Sequence, residues 1–235
     1  MYPTKAEASV IQAAEQLMKK TMARYDPSHD AYHVERVRKT ALSLARSISS
    51  ESASQKQPDL LTVELAALLH DVLDKKYVSA EEAADPYSYF LPFFRTWAQA
   101  SQIDFVSDGR AKEIAKIVDN VSWSTEKKRR QTGEWGTWHD ECLELHCVQD
   151  ADRLDAIGAF GIMRCSAFSA ATNRALHIPV GAPGFEESAI QHFHDKLLHI
   201  RERLKTEPGR QLGQNRHQLM LDFLEAVDEE YDVQS

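Results

Sequence analysis

Leu65-Ala66-Ala67-Leu68-Leu69-His70-Asp71-Val72-Leu73-Asp74-Lys75-Lys76 is the stretch from which both fold and chemistry are read. Through Leu69 it is a run of strong helix formers, nearly all apolar and without a turn residue. That pattern predicts a helix buried in a core. An imidazole and a carboxylate follow on consecutive positions. Burying such a pair is costly unless both groups are paired or ligate a metal, so His70-Asp71 is a candidate half of a metal site. The competing reading is a helix that surfaces at its C-terminal end, with His70 and Lys75 complementing the dipole. A lone dipeptide does not decide between the two.

Working outward, the 235-residue chain is long enough for one domain with a full core, and its apolar fraction of 43% is that of an ordered globular protein. Only 9 glycines and 8 prolines favour long helices over sheet and turns. The net charge of −8 argues against a nucleic-acid polymer as partner, which needs a basic footprint, but leaves room for a small anion held by a local Arg/Lys cluster. Cys142, Cys147 and Cys165 are too few and too far apart for a disulfide framework or zinc knuckle. Cys142 and Cys147, flanking an apolar helical stretch, read as core thiols, and a reducing, cytoplasmic setting is expected. The N-terminal residues carry no apolar h-region, and no run approaches the length needed to span a bilayer, so neither a signal peptide nor a membrane partner is expected.

Helical spacing of apolar residues predicts helices over Thr4–Tyr25, Ala31–Ser54, the Leu65 stretch, Tyr87–Phe105 with a kink near Pro92, and Gly109–Ser122. His139–Ile157 reads as one helix running on to about Thr172. Ser188–Thr206 and Leu212–Tyr231 read as a closing pair joined through Pro208-Gly209. Trp123–Trp138, with Lys127, Lys128, Arg129 and Arg130, reads as the loosest region: a solvated charge run, or a basic loop able to close over an anion. No strand-like alternation is present, so the fold class is all-α and the domain organisation one domain over 1–235.

Four stretches place His or Asp beside an apolar stripe: His29-Asp30 to His33, His70-Asp71, Asp74, and Asp150-Ala151-Asp152-Arg153-Leu154-Asp155. Two histidines with two carboxylates make a mixed nitrogen and oxygen donor set. It suits Mn²⁺, Co²⁺, Ni²⁺ or Fe²⁺ in six-coordinate geometry, with Mg²⁺ an alternative. Arg36, one turn after His33, and Lys75, Lys76 and Arg153, beside ligand positions, are candidate phosphate contacts. Arg suits bidentate contact and Lys acts as a point charge. His29 is a further candidate substrate contact.

The order His33 … His70-Asp71 … Asp152, with the flanks Ser28-His29-Asp30-Ala31-Tyr32-His33, Ala66-Ala67-Leu68-Leu69-His70-Asp71 and Gln149-Asp150-Ala151-Asp152-Arg153-Leu154-Asp155-Ala156-Ile157-Gly158, resembles HD-domain metal-dependent phosphohydrolases. It is most similar to a small branch with nucleotide pyrophosphohydrolase members. The resemblance runs from about residue 26 to about residue 224, through Ile190-Gln191-His192-Phe193-His194-Asp195. It implies a single helical bundle of the HD-domain type. His33, His70, Asp71 and Asp152 would be the metal ligands, with Asp150 competing for the last place. Asp74 would be the catalytic acid/base, on the same helix face as His70 and Asp71 if the helix persists.

The activity implied is attack by a metal-bound water on a phosphate ester or phosphoanhydride, with a small phosphorylated substrate, a nucleoside triphosphate first among them. Phosphomonoesterase or cyclic phosphodiesterase action would use the same site. The rival readings are a catalytically silent helical binding module with a structural metal and a metal-dependent oxygenase. A homodimer is left open.

Overall fold

The computed structural model describes residues 2–23, 25, 30–51, 56–73 and 78–232. Among them there are helices and no strand, as an all-α chain requires. The chain divides into two compact units, Met1–Ala151 and Asp152–Ser235. No helix of the described residues is long and apolar enough to cross a membrane.

In the first unit, helix α1 (Lys5–Met22) is opened by a capping box, with Thr4 accepting the Glu7 N–H and the Glu7 carboxylate accepting the Thr4 N–H. Helix α2 (Ala31–Glu51) buries Val34, Val37, Ala41, Leu44 and Ala45 along one stripe. Helix α3 (Leu60–Leu69) is capped by Asp59 and buried on every side from Leu61 onward. An all-round apolar helix belongs at the centre of a core, and α3 packs against α1, α2 and α6 (Arg110–Asn120). The short α4 (Ala80–Ala84) leads into α5 (Pro86–Ser101), which packs on α1 and α6. The aromatics of α5 are core, as their spacing predicts: Phe90, Phe94 and Trp97 are buried with Phe105, and the Phe94 and Trp97 rings meet edge to face. Pro92 lies within α5.

Three local expectations are corrected here. The basic part of the Trp123–Trp138 region is not a loop: Trp123–Thr132 forms helix α7, and only residues 133–136 are irregular. Ser122 caps it, accepting the Thr125 N–H, and Lys and Arg are good helix formers once a cap is in place. Two of its four basic side chains are already engaged, Arg129 with Asp119 and Arg130 with the buried Glu126. The predicted His139–Ile157 helix is broken at Cys142, whose backbone is extended (ψ 98°), into α8 (Thr137–Glu141) and α9 (Leu143–Asp155). It does not run on to Thr172, because the chain turns at Ala156-Ile157 before α10 (Gly158–Ala171).

The reason for that corner is local. Gly158 takes a positive φ of 73°, and a Cβ there would lie 2.9 Å from the Arg216 side chain. At Gly161 a Cβ would lie 2.5 Å from the Ala156 carbonyl oxygen, so this corner accepts only glycine.

In the second unit α10 packs against α12 (Glu207–Tyr231), and α11 (Ala189–Asp195) packs against the 3-10 helix Leu197–Arg203. The closing pair therefore differs from its expected form. Pro208 and Gly209 sit inside the first turn of α12 rather than between helices. Proline is tolerated there because its missing N–H has no helical partner to lose.

Candidate metal centre

The centre is assembled by the start of α2 and the end of α3. Asp30 accepts the backbone N–H of His33 at 2.9 Å, the geometry of an N-capping side chain, and this fixes the first turn of α2. The apolar stripe of α2 then carries His33 inward, where it is fully buried. At the other side α3 ends at Leu69, and His70–Leu73 continue as a turn closed by the Val72 N–H on the Leu69 carbonyl at 3.1 Å.

His70 Nδ1 lies 2.8 Å from the Ala67 carbonyl oxygen. A carbonyl only accepts, so Nδ1 carries the proton and Nε2 keeps its lone pair for a metal.

Asp71 Oδ2 lies 3.4 Å from His33 Nε2 and 3.4 Å from His70 Nε2. The two rings meet nearly edge-on, their centroids 5.4 Å apart at 68°. All three ligand atoms fall within 4.8 Å of one another. Burial works against ionising Asp71, but in the metal-free site positive charge on the His70 and His33 imidazoles outweighs it and holds the carboxyl well below the usual carboxylate range. A cation takes the place of that charge when Nε2 is unprotonated. Asp71 Oδ2 is itself buried and makes no hydrogen bond. Contacts of 3.4 Å are long for N–H···O bonds. Two inward imidazoles and a buried carboxylate oxygen that makes no hydrogen bond fit a divalent cation, and nitrogen with oxygen is a common transition-metal donor set.

The other candidates fare variously. Asp74, Lys75, Lys76 and His29 lie outside the described residues. The expectation that Asp74 shares the ligand face of this helix therefore falls outside the described residues, and α3 itself ends at Leu69. Arg36 is half-buried on α2, one turn beyond His33. Asp150 is fully buried and Asp152 half-buried on α9. Arg153 is buried, and its Nη1 donates to the Arg203 carbonyl at 2.6 Å, a structural contact that occupies part of the guanidinium. Asp155 pairs with Arg164 at 3.0 Å.

Sequence reasoning passed over the polar groups that hold α2 and α3 in register. Glu64, in mid-α3 and 3% exposed, accepts Arg38 Nε of α2 at 2.7 Å, and Tyr2 hydrogen-bonds the same carboxylate. The signal was present: a carboxylate inside Leu-Leu-Thr-Val-Glu-Leu-Ala-Ala requires a partner. A second network joins α6, α7 and α9. Gln149 Nε2 donates to the Asn120 carbonyl at 2.7 Å and to Glu126 at 3.2 Å, while His139 Nε2 meets Asn120 Oδ1 at 3.2 Å. His139 is thus a satisfied core histidine, and Cys142 and Cys147 are buried free thiols, as the sequence suggested for these two cysteines.

Comparison with known proteins places this geometry. The model of the HD domain matches residues 30–157, more than half of the chain. The uncharacterized protein YpgQ of Bacillus subtilis is 30% identical over 207 residues, covering 86% of this chain and 84% of that one. The crystal structure of Bacillus subtilis YpgQ in complex with ADP superposes with a TM-score of 0.63 at 26% identity, over 94% of this chain and 98% of that one. An HD-superfamily hydrolase from Bacillus thuringiensis gives a TM-score of 0.69 at 27% identity, over 97% of this chain and 100% of that one. With His33, His70 and Asp71 brought together as its metal-binding triad, the chain belongs to the HD-domain family and is a metal-dependent phosphohydrolase of that superfamily.

Proposed function

We propose that this enzyme hydrolyses a phosphoanhydride or phosphate ester of a nucleotide, with nucleoside triphosphates the first substrates to test. The observation that carries the reading is the convergence of His33, His70 and Asp71 on one buried point. The ADP held by the Bacillus subtilis relative supports the nucleotide part. Residues 1–235 are taken as one functional domain of a cytoplasmic enzyme, in keeping with its three free cysteines. Asp152 is proposed as the fourth ligand, with Asp150 as its competitor, and Mn²⁺ as the resident ion ahead of Co²⁺, Ni²⁺, Fe²⁺ or Mg²⁺.

A divalent ion at this place supplies Lewis acidity toward a phosphoryl oxygen and lowers the pKa of water. The remaining work falls to the chain. The Ala67 carbonyl keeps the His70 proton on Nδ1 and so keeps Nε2 a donor of electrons. Asp71 contributes the negative charge that a dication requires. In this reading Asp74 moves a proton at the attacking or leaving oxygen. Arg36, Lys75, Lys76, Arg153 and His29 offset the charge spread over the phosphoryl oxygens.

The test is release of phosphate and pyrophosphate from a nucleotide panel. Metal-stripped protein is compared with protein given back Mn²⁺, Co²⁺, Ni²⁺ or Mg²⁺. Metal-dependent release that disappears in Asp74→Asn supports the assignment and identifies the bond cut. Metal binding without release from any nucleotide moves the function to another phosphate ester or to a silent binding module.

A further inference from the structure

Beside the C-terminal end of α1 and the first residues of α2 lies a hollow of about 310 Å³ whose walls include Lys19, Met22, Tyr25, Asp30 and Tyr32. That volume is at the lower end of small-molecule sites. Two of its walls are built into the metal centre: Asp30 holds the His33 N–H at 2.9 Å, and Tyr25 Oη lies 3.5 Å from the backbone carbonyls of both Asp71 and Val72. The third feature is Tyr32. It sits one residue before a metal ligand and is 70% exposed, though a large aromatic side chain gains most by burial.

The chemistry of the walls is selective. A tyrosine ring offers a flat face, Asp30 offers a carboxylate that accepts hydrogen bonds, and Met22 offers an apolar floor. A planar heterocycle with exocyclic N–H groups suits such a set. A bare polyphosphate does not, since Asp30 would repel it and the Lys19 ammonium is already paired with Glu15 at 2.5 Å.

We infer that the Tyr25–Asp30–Tyr32 hollow is the nucleoside subsite of this enzyme, with Tyr32 as the platform on which the base stacks and Asp30 as an acceptor for its amino group. The inference rests on the nucleotide reading given above and adds where, and by which residues, the nucleoside is recognised.

The experiment compares wild type, Tyr32→Ala and Tyr32→Phe on two substrates, ATP and inorganic tripolyphosphate, which share the phosphate chain but not the nucleoside. ADP binding to the metal-loaded proteins is measured by calorimetry alongside. An aromatic platform under a base is worth on the order of tenfold in affinity. Tyr32→Ala is therefore expected to lower kcat/KM for ATP about tenfold relative to that for tripolyphosphate, through KM, and to weaken ADP binding by a similar factor. Tyr32→Phe keeps the flat face and should restore both. Because Tyr32 is exposed, unchanged thermal unfolding is expected to accompany the loss. Nucleotide turnover with the same ATP to tripolyphosphate ratio in Tyr32→Ala as in wild type overturns the subsite and leaves the nucleotide reading standing. A wild-type enzyme that cleaves other phosphate esters but neither binds ADP nor cleaves ATP overturns both.

Discussion

Asp71→Ala removes the charged ligand of the triad, and the size of its effect follows from linkage. A ligand that binds only the folded chain stabilises it by RT ln(1 + [L]/Kd), about 2.7 kcal/mol at a hundredfold excess over Kd. In chains of this length each kcal/mol moves Tm by about 2–4 °C. Mn²⁺ at that excess should therefore raise the wild-type Tm by about 5–10 °C. Without Asp71 the two imidazoles face the ion with no carboxylate between them, although that carboxylate lies 3.4 Å from each. A Kd weakened by about a hundredfold leaves about 0.4 kcal/mol at the same metal concentration, a rise of only about 1–2 °C. The assay is a thermal scan of metal-stripped wild type and variant, with and without Mn²⁺. A variant that keeps the full wild-type rise would show that the ion binds elsewhere and would refute the site.

Acid titration of metal-free protein gives a second check. The Asp71 carboxyl is held low in the folded state, so its contribution is fully present above the unfolded value near about 3.9 and is lost as pH falls through the lower folded value. Asp71→Asn should flatten that acid limb, and identical limbs in the two proteins would contradict the assignment. Gly161→Ala should destabilise by about 1–3 kcal/mol in urea unfolding, because the clash with backbone at 2.5 Å outweighs the roughly 1 kcal/mol gained in helix propensity; a more stable variant would refute the close approach. Burial pushes the Cys142 thiol up to about 12 and raises Cys147 as well, so at pH 8 neither should react with a disulfide reagent until the protein is unfolded. The half-buried Cys165, also raised but on the surface of α10, should react first; fast labelling of two or more thiols in the native protein would count against this packing.

The all-α class was legible because helical periodicity is a short-range property, and α1, α5 and α6 begin within a residue of where apolar spacing put them. The triad was legible as residue types in order. What the sequence concealed was local geometry set by tertiary contact. Cys142 breaks a helix that every neighbouring propensity would continue. Its thiol lies against Glu113 and Glu144, and the Glu144 carboxylate reaches across to hold the Asp59 N–H at 2.8 Å. The corner at Ala156-Ile157 depends on Arg216, some 60 residues away, whose guanidinium donates to the Leu154 carbonyl and whose stem covers Gly158. The charge run of α7 read as solvated because Glu126 has a local partner in Arg130, while the group that draws it into the core is the distant Gln149. In each case the deciding partner is remote in sequence, where propensity carries no information.

A local geometric requirement also lies behind the meeting of His70 and Asp71, which are consecutive in the chain yet reach one point with His33. Consecutive residues on a regular helix point about 100° apart, so neighbouring side chains reach one ion most readily where the helix ends. The chain meets this requirement by ending α3 at Leu69, one residue before the first ligand, and turning. With the turn closed by Val72 on Leu69, the His70 ring can anchor on Ala67 while Asp71 swings to within 3.4 Å of both imidazoles. Stopping there has an electrostatic result too. The C-terminus of a buried helix carries a partial negative charge, and a cation beside it is favoured, more strongly where water is excluded. Apolar residues on every face of α3 thus serve the site directly. They hold the negative end of the helix in a low dielectric next to a carboxylate already ionised, so the place where the core stops is also the place where a dication is best stabilised.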